Sequence, residues 1–369
     1  MCVMLVSLSI IAVFALSATA RQGEIAFVSG ADPASRRVVT LNLADGAIRD
    51  VGPGEADAEP CWDAKGQRLA FVSGSAGARH VLIADLTSGA VEPIPHARPI
   101  NSHPRWSGSG QFLAYGSALE DGESVIAVYD LKKREERIWG GDGGLGLLAP
   151  VWMEGGSLFA FVNVAQALGW KDEAQLALLR EASSSGLILA IARHRQEAST
   201  ELCLVTPSTM LPIPEAFMPS PGRYEEWGIA THPRSRSIAF ESNDGGDREI
   251  FVLSFTKGAY DLSNHRAADW NPQWAPNGET ILFESFRDGR RGLYRVYPET
   301  THVTQVAASP DHDNWSGAFS PMGEDLVFVS NRDGSPELYI QPMGEVQARR
   351  LTEGVYALSP AWRPDGSQN

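Results

Sequence analysis

The sequence predicts an all-β fold, a single closed β-propeller over residues 24–369 that is built from four-stranded blades and carries a small helical insertion. Three observations predict it. A unit of roughly 44 residues recurs along the chain. Each unit contains four short runs rich in β-branched and aromatic residues, separated by turn residues. The two chain ends hold complementary parts of one unit, as radially stacked sheets that close a ring require.

An aromatic anchor marks most of the units. The anchors are Trp62, Trp106, Trp152, Trp274, Phe319 and Trp362, with Thr231 at the equivalent place of one unit. Seven residues after an anchor, a Leu/Ile/Phe-x-aromatic strand is expected, beginning at Leu69, Leu113, Phe159, Ile238, Ile281 and Leu326. Asp-Gly pairs at 288–289 and 333–334 indicate hairpin turns. We therefore expect each anchor to pack between neighbouring blades.

The chain ends complement each other. Glu24–Ser29 is such a strand without an anchor before it, and Trp362 is an anchor without a strand after it. The sequence therefore predicts that both ends contribute to one blade, and that truncating either end destabilises the whole ring.

The anchor spacings of 44, 46, 79, 43, 45 and 43 residues contain one irregular interval. We place the excess at about 164–195, where Asp172–Ala182 has the pattern of a short amphipathic helix with acidic residues in its first turn. Within the same interval, Gly186–Ile191 imitates the strand that follows an anchor. Two interpretations remain: seven blades with an insertion in the fourth, which we favour, or a degenerate eighth blade.

The N-terminal segment resembles an export signal. Val3–Ala20 is almost wholly apolar and ends in Ser-Ala-Thr-Ala, a small-x-small cleavage pattern. This predicts a signal peptide at 1–20 and a periplasmic or secreted protein. No Lys or Arg precedes the apolar run, so an uncleaved membrane anchor is the alternative. Cys61 and Cys203 fall in different blades, and we expect both to be small buried residues rather than a disulfide.

Composition excludes several functions. The net charge is −14, and no Lys/Arg cluster offers the basic surface that nucleic-acid binding requires. The chain contains no Gly-x-Ser-x-Gly, His-Glu-x-x-His or Cys-x-x-Cys motif. We therefore assign no catalytic residue, no metal ligand and no cofactor.

The strongest candidate binding residues are aromatic and polar. Four residues before the anchor, three consecutive blades carry Trp227, Trp270 and Trp315, and each follows a polar residue, namely Glu226, Asp269 and Asn314. Such rings beside polar groups suit the stacking of sugars or cations. The alternative is that the pair is part of the repeat and packs the turn. One residue further on, Asn271, Ser316 and Ser359 are expected at the mouth of the central channel.

Two histidines complete the candidate set. His103 and His232 each precede a proline, and we interpret both as lying in anchor turns near the axis, where side chains from several blades converge. A transition metal needs three or four ligands in tight geometry. The sequence does not supply the remaining ligands, and the alternative role for both histidines is to line or cap the turn.

The repeat residues resemble a known family. Asp269-Trp-Asn-Pro-Gln-Trp-Ala-Pro-Asn-Gly278, Ser330-Asn-Arg-Asp-Gly334 and Arg350-Leu-Thr352 are similar to the WD40-like (PD40) repeat of TolB-type propellers. The resemblance implies an exported bacterial protein that binds partners through its face and central channel. It also keeps six blades as a further alternative, since the Tol-system protein has six.

Two functions follow from these observations. The first is a non-catalytic, monomeric binding protein for a protein, peptide or glycan at the axial face. The alternative is a propeller enzyme acting on a polysaccharide, a metal-dependent lyase or a hydrolase with its site at the channel mouth. A fold of this kind supports many unrelated roles, so the site has to decide between them.

Overall fold

The computed structural model describes residues 23–75, 77–120, 123–140, 146–153, 172–193, 199–213, 217–218, 225–233, 237–254 and 257–366. They form seven antiparallel sheets of four strands each. The prediction of an all-β propeller with seven four-stranded blades and a small helical insertion is confirmed. The predicted export signal at 1–20 lies outside the described residues.

The first four blades share one strand order, from the innermost strand outward. They comprise, in blade 1, β28 (Ala357–Trp362), β1 (Glu24–Ser29), β2 (Arg37–Asn42) and β3 (Ile48–Asp50); in blade 2, β4 (Ala58–Trp62), β5 (Arg68–Ser73), β6 (His80–Asp85) and β7 (Ala90–Pro93); in blade 3, β8 (Ile100–Trp106), β9 (Phe112–Ala118), β10 (Ser124–Asp130) and β11 (Glu135–Trp139); and in blade 4, β12 (Gly146–Met153), β13 (Leu187–Arg193), β14 (Thr200–Val205) and β15 (Met210–Pro212).

The remaining blades follow the same order. They comprise, in blade 5, β16 (Glu226–Thr231), β17 (Ser237–Ser242), β18 (Glu249–Ser254) and β19 (Gly258–Asp261); in blade 6, β20 (Asp269–Trp274), β21 (Ile281–Ser285), β22 (Gly292–Tyr297) and β23 (His302–Ala307); and in blade 7, β24 (Asn314–Phe319), β25 (Asp325–Ser330), β26 (Glu337–Pro342) and β27 (Arg349–Arg350). One α-helix, α1 (Glu173–Ser185), and a 3-10 turn, Pro33–Ser35, are present in the described part of the chain.

Blade 1 combines strands from both parts of the chain. Strand β1 pairs with β2 on one side and with β28 on the other, with Ile25 opposite Trp362. An ion pair between Arg363 and Glu24, 2.7 Å from Nη1 to Oε2, adds a second connection. Residues more than 330 positions apart therefore close the ring.

The anchor tryptophans connect neighbouring blades, as predicted. Each of five indole N–H groups donates to the carbonyl oxygen of the residue just before the preceding blade's anchor. These hydrogen bonds are Trp62 to Ala361 (3.0 Å), Trp106 to Cys61 (3.0 Å), Trp152 to Arg105 (2.9 Å), Trp274 to Ala230 (3.2 Å) and Trp362 to Ala318 (2.9 Å). Each bond satisfies a buried indole donor and fixes the position of one blade against the next.

The core is divided into apolar clusters between adjacent blades. Between blades 4 and 5, where Thr231 replaces the anchor tryptophan, helix α1 contributes Leu178 and Leu179 to the cluster. These side chains pack in a group that includes Phe240 and Phe251 of blade 5. The insertion thus supplies apolar surface at an interface that lacks an anchor tryptophan.

The structure corrects the position of the insertion. The second strand of blade 4 is Leu187–Arg193, which pairs with β12, and not a strand beginning at Phe159. Phe159 itself lies outside the described residues. The insertion therefore separates strands one and two, and the apolar run at 186–191 is the true continuation of the blade. Helix α1 begins after Asp172, whose Oδ1 accepts the N–H of Gln175 at 2.8 Å as an N-cap.

Every innermost strand contains a left-handed residue three positions before its anchor. We call these residues the axial ring: Glu59, His103, Ala149, Gly228, Asn271, Ser316 and Ser359, with φ between 44° and 57°. In each blade the pairing with the second strand shifts register around this residue, as expected for a β-bulge. The bulge brings one residue of each blade to the wall of the central pocket.

Two smaller expectations have different outcomes. Cys203 is buried, as expected, whereas Cys61 is only half-buried, and both are free thiols. Within the described ranges, no helix has the length and apolarity that crossing a membrane requires.

Candidate functional site

The axial ring encloses a central pocket of about 640 Å³. All seven axial-ring residues line it, so every blade contributes to its wall. Asn271 and Ser359 are exposed in the pocket, as the sequence predicted for residues at this register.

Carboxylates of the preceding blade accept three of the axial-ring N–H groups. Glu59 of blade 2 accepts the N–H of His103. Glu241 of blade 5 accepts the N–H of Asn271 at 2.8 Å. Glu284 of blade 6 accepts the N–H of Ser316 at 3.0 Å and also binds the Asn271 side-chain amide at 2.9 Å.

An arginine neutralises each of these carboxylates. The ion pairs are Arg79 with Glu59 (3.4 Å), Arg248 with Glu241 and Arg291 with Glu284. The three arginines occupy one register, immediately before the third strand of their blades. We call each set of glutamate, arginine and axial-ring N–H a carboxylate bridge. The bridges fix the ring backbone with charge-assisted hydrogen bonds, which are stronger than neutral ones.

The three predicted tryptophans pack against two of these arginines. The Arg248 guanidinium lies 4.4 Å from the Trp227 ring centre. Arg291 lies between Trp270 and Trp315, at 5.5 and 5.7 Å. Of the three, Trp227 lines the central pocket. The half-buried rings therefore hold the arginines in place through cation–π contacts.

The polar residues before these tryptophans have structural roles. Glu226, Asp269 and Asn314 are buried. Glu226 accepts the N–H of Leu202 in blade 4 at 2.6 Å, Asp269 pairs with Arg287 at 2.6 Å, and Asn314 accepts from Arg332 at 3.1 Å. None of the three is among the residues that line the pocket. These contacts are the packing of the repeat that the alternative expected, and the ligand-binding role of the three residues stays a prediction.

The two histidines lie at different ends of the innermost strands. His103 belongs to the axial ring, whereas His232 follows an anchor position. The His232 ring lies 4.5 Å from the Trp274 ring, and its Nε2 is 3.0 Å from the Gly278 carbonyl oxygen. Arg363 makes the same contacts with Trp62 and Gly66 in blade 2. His232 is therefore an inter-blade contact, and the idea that it shares a register with His103 is wrong.

His103 is the predicted histidine that does face the pocket. The pocket walls remove much of the solvent around its ring, and this desolvation lowers the pKa of the imidazole. Glu59 opposes the shift, while the charges of Arg105 and Arg79 add to it. His103 is thus kept towards its neutral form. Among the described residues, no group of three or more His, Cys, Asp or Glu side chains is placed to hold a metal ion.

Glu241 and Glu284 were not predicted from the sequence. They stand directly across the strand pair from Trp227 and Trp270. Burial raises the pKa of Glu241, and Arg248 opposes that shift. The equivalent residues of blades 2 and 7 are Val72 and Val329. A glutamate directly after the aromatic residue of an otherwise apolar strand was the available signal.

Comparison with known proteins supports the assignment of the sequence repeat to a propeller of the TolB type. The family model described as the TolB beta propeller domain (PD40) matches residues 229–367. No curated protein matches the chain. Solved structures match nearly all of it at low identity.

Three of these structures show the range of proteins that share the fold. TolB from Acinetobacter baumannii is 16% identical, with a TM-score of 0.55, and the match covers 92% of this chain and 66% of that one. The propeller domain of the trilobed protease from Pyrococcus furiosus is 13% identical, with a TM-score of 0.62 and coverages of 90% and 93%. Pyrococcus horikoshii acylaminoacyl peptidase is 13% identical, with a TM-score of 0.59, and this chain spans 51% of its length.

Proposed function

We propose that this seven-bladed propeller, which is similar to TolB-type propellers, is a non-catalytic binding protein whose central pocket receives a peptide segment of a partner protein. The observation that carries this proposal is the set of three carboxylate bridges, which fixes the axial ring and its arginines around an open pocket. A site that is ordered before binding loses less entropy when a ligand enters.

The state of the pocket carboxylates favours binding over chemistry. Glu241 and Glu284 are buried, each is paired with an arginine, and each accepts a backbone N–H. A general base has to be within reach of the proton it removes and free to take it. Carboxylates whose oxygens already hold the backbone and an arginine suit a structural role better than proton transfer.

The lining of the pocket favours a peptide over a glycan. Leu148, Ile191 and Ile229 form apolar parts of the wall, while Asn271 and Ser316 offer hydrogen bonds. This mixture is typical of sites that fix a ligand with few polar groups on an apolar surface. The aromatic faces that would stack on a sugar are partly covered, because Arg291 lies against Trp270 and Trp315.

The proposal is tested by filling the pocket. N-acetylated random heptapeptides are incubated with the purified protein, and retained peptides are identified by ultrafiltration and mass spectrometry. Replacing Ser359, an exposed member of the axial ring, by Trp is expected to reduce retention about tenfold or more, because the larger side chain occupies the pocket. Val346→Trp, at a position that is 93% exposed, is the matched control and should retain peptides as the wild type does.

Two results would contradict the proposal. One is equal retention by wild type and Ser359→Trp, which would place any binding outside the pocket. The other is consumption of an acidic or neutral polysaccharide by the wild type together with absence of peptide retention. That second result would favour the alternative, a polysaccharide-processing enzyme.

We also propose that residues 1–20 direct export and that the protein acts in the periplasm or outside the cell. The support is the apolar segment with its small-x-small end. Intact mass spectrometry of the protein from the periplasmic and culture fractions tests it. A chain that begins at Arg21 in either fraction is expected, and a full-length chain confined to the cytoplasm would contradict it.

A further inference from the structure

A second set of residues lies two positions after the axial ring on each innermost strand. It consists of the residues immediately before the anchors: Cys61, Arg105, Val151, Ala230, Gln273, Ala318 and Ala361. Most of these residues are small or apolar. Arg105 and Gln273 are the exceptions, and both line the central pocket.

Arg105 differs from the arginines of the carboxylate bridges. Arg79, Arg248 and Arg291 each have a glutamate partner. Within the described residues Arg105 makes no ion pair, and its guanidinium donates from Nη1 to the carbonyl oxygen of Pro104 at 2.9 Å. Its positive charge is therefore not compensated by a carboxylate of the described chain.

This leaves the pocket with an excess positive charge. The three carboxylate bridges are each neutral, and the pKa of His103 is lowered, so Arg105 determines the sign of the inner pocket. The chain as a whole carries a net charge of −14, so this local sign is opposite to that of the protein. An anionic group is the complement that Arg105 lacks, whereas a cationic group would find every pocket glutamate already paired.

Gln273 offers the ligand a hydrogen-bond acceptor in addition to the positive charge of Arg105. Its side-chain Oε1 is buried and has no hydrogen-bond partner among the described residues. A buried carbonyl oxygen without a donor costs free energy, and a ligand that brings an N–H removes that cost. The inner pocket thus offers a guanidinium for an anion and an oxygen for an N–H.

Because both residues line one pocket, Arg105 from blade 3 and Gln273 from blade 6, we propose that this pocket binds the C-terminal end of a peptide, with its α-carboxylate on Arg105 and a backbone N–H on Gln273 Oε1. A chain end enters a narrow axial channel end-on, whereas an internal segment has to fold back on itself. A C-terminal residue presents its α-carboxylate and its own N–H together at the chain end, whereas an internal Asp or Glu presents the same pair only from a segment that folds back. The apolar side chains of Val151 and Leu282 in the wall favour an apolar last residue. This inference rests on the proposed function and specifies its ligand.

The test compares two forms of the same peptide library. N-acetylated random heptapeptides are prepared as free C-terminal acids and as C-terminal amides, and their retention by the full-length protein is measured side by side. The expected result is a preference of about 10- to 100-fold for the acids, the range for losing a charge-assisted hydrogen bond. Arg105→Gln should abolish this preference, while Arg134→Gln, at a side chain that is 76% exposed, should leave it unchanged.

The outcomes separate this inference from the proposed function. If acids and amides are retained equally, and Ser359→Trp still reduces both, peptide binding stands and C-terminal recognition is wrong. If Arg105→Gln keeps the full preference, the assignment of the carboxylate to Arg105 is wrong. If neither library is retained, the inference and the proposed function fail together. The comparison of acid and amide uses wild-type protein, so it does not depend on how the variant folds.

Discussion

The carboxylate bridges of blades 5 and 6 and the bridge of blade 2 make the same contacts in different surroundings. In blades 5 and 6 the glutamates extend from the second strand, and their side chains are 2% exposed. In blade 2 the glutamate is Glu59, itself a member of the axial ring, and its side chain is 27% exposed. All three accept the N–H of the next axial-ring residue.

The difference shows how one set of contacts serves two purposes. A buried ion pair that also satisfies backbone donors becomes part of the fold, because removing one partner leaves the other charge uncompensated. A half-exposed pair contributes little to stability, since water competes for both groups. We therefore interpret the bridges of blades 5 and 6 as wall structure and that of blade 2 as the adjustable part of the pocket.

The largest effect is expected when the buried bridge of blade 6 is broken. Glu284→Val, which copies the residue of blade 7 at that position, removes the acceptor for Ser316 and the counter-charge of Arg291. We expect a loss of about 3–5 kcal/mol in the free energy of unfolding, measured by chemical denaturation.

A double variant tests whether the loss of stability comes from the uncompensated charge. Glu284→Val combined with Arg291→Met removes both charges and is expected to recover part of the loss, because no uncompensated charge remains at the site. A single variant as stable as the wild type, or a double variant less stable than the single, would contradict the interpretation of this bridge as wall structure.

A smaller effect is expected at Glu226, a buried carboxylate for which the described residues contain no ion-pair partner. Burial raises its pKa from 4.5 to about 7. The folded chain thus holds a proton that the unfolded chain releases near pH 4.5. This contribution to stability is complete below pH 4.5 and is lost as the pH rises through about 7.

Glu226→Gln removes this dependence and keeps a side-chain oxygen that can accept the N–H of Leu202. At pH 8 the variant is expected to be more stable than the wild type by about 1–3 kcal/mol, and at pH 4 this difference should vanish. Thermal and denaturant unfolding across that range measure it. A difference between variant and wild type that does not change with pH would show that Glu226 ionises normally in the folded protein.

The smallest effect on stability is expected at the exposed bridge of blade 2. Glu59→Gln should change the free energy of unfolding by less than about 1 kcal/mol. It should nevertheless lower the pKa of His103 further, because Glu59 is the group that opposes the downward shift. Arg105→Gln should move the same pKa upward. Titration of the His103 ring by NMR measures both, and shifts in the same direction would disprove this account of the pocket charges.

The repeat was predictable because it depends on short sequence patterns within each unit. Anchors such as Trp62 and Trp106 recur at fixed spacing, and the turns between them follow from Gly, Pro and Asp. The blade assignment failed where two segments offered the same pattern: the run at Phe159 and the run at Leu187 both resemble a second strand. Local periodicity cannot distinguish these two, since pairing partners decide which one joins the sheet.

The site was only partly predictable for a related reason. Asn271, Ser316 and Ser359 were placed correctly, because their register relative to the anchor determines that they face the axis. His232 was misplaced, since a proline after a histidine occurs at both ends of an innermost strand. Arg105 has no motif around it, and its importance depends on which carboxylates its neighbours have taken.

By itself, the sequence predicted the all-β propeller and the shared blade formed by Glu24–Ser29 and Trp362, and it favoured seven blades over eight or six. The sequence pattern of these features recurs along the chain, so each unit independently supports the same fold. The tertiary structure alone decided which arginine neutralises which glutamate within a blade and which N–H of the next blade that glutamate accepts. It also left Arg105 without an ion-pair partner and Gln273 Oε1 without a hydrogen-bond partner among the described residues. Charge compensation and hydrogen-bond satisfaction are properties of neighbours in space, and the carboxylate hydrogen bonds that cross blades join residues 30, 32 and 44 positions apart in the chain.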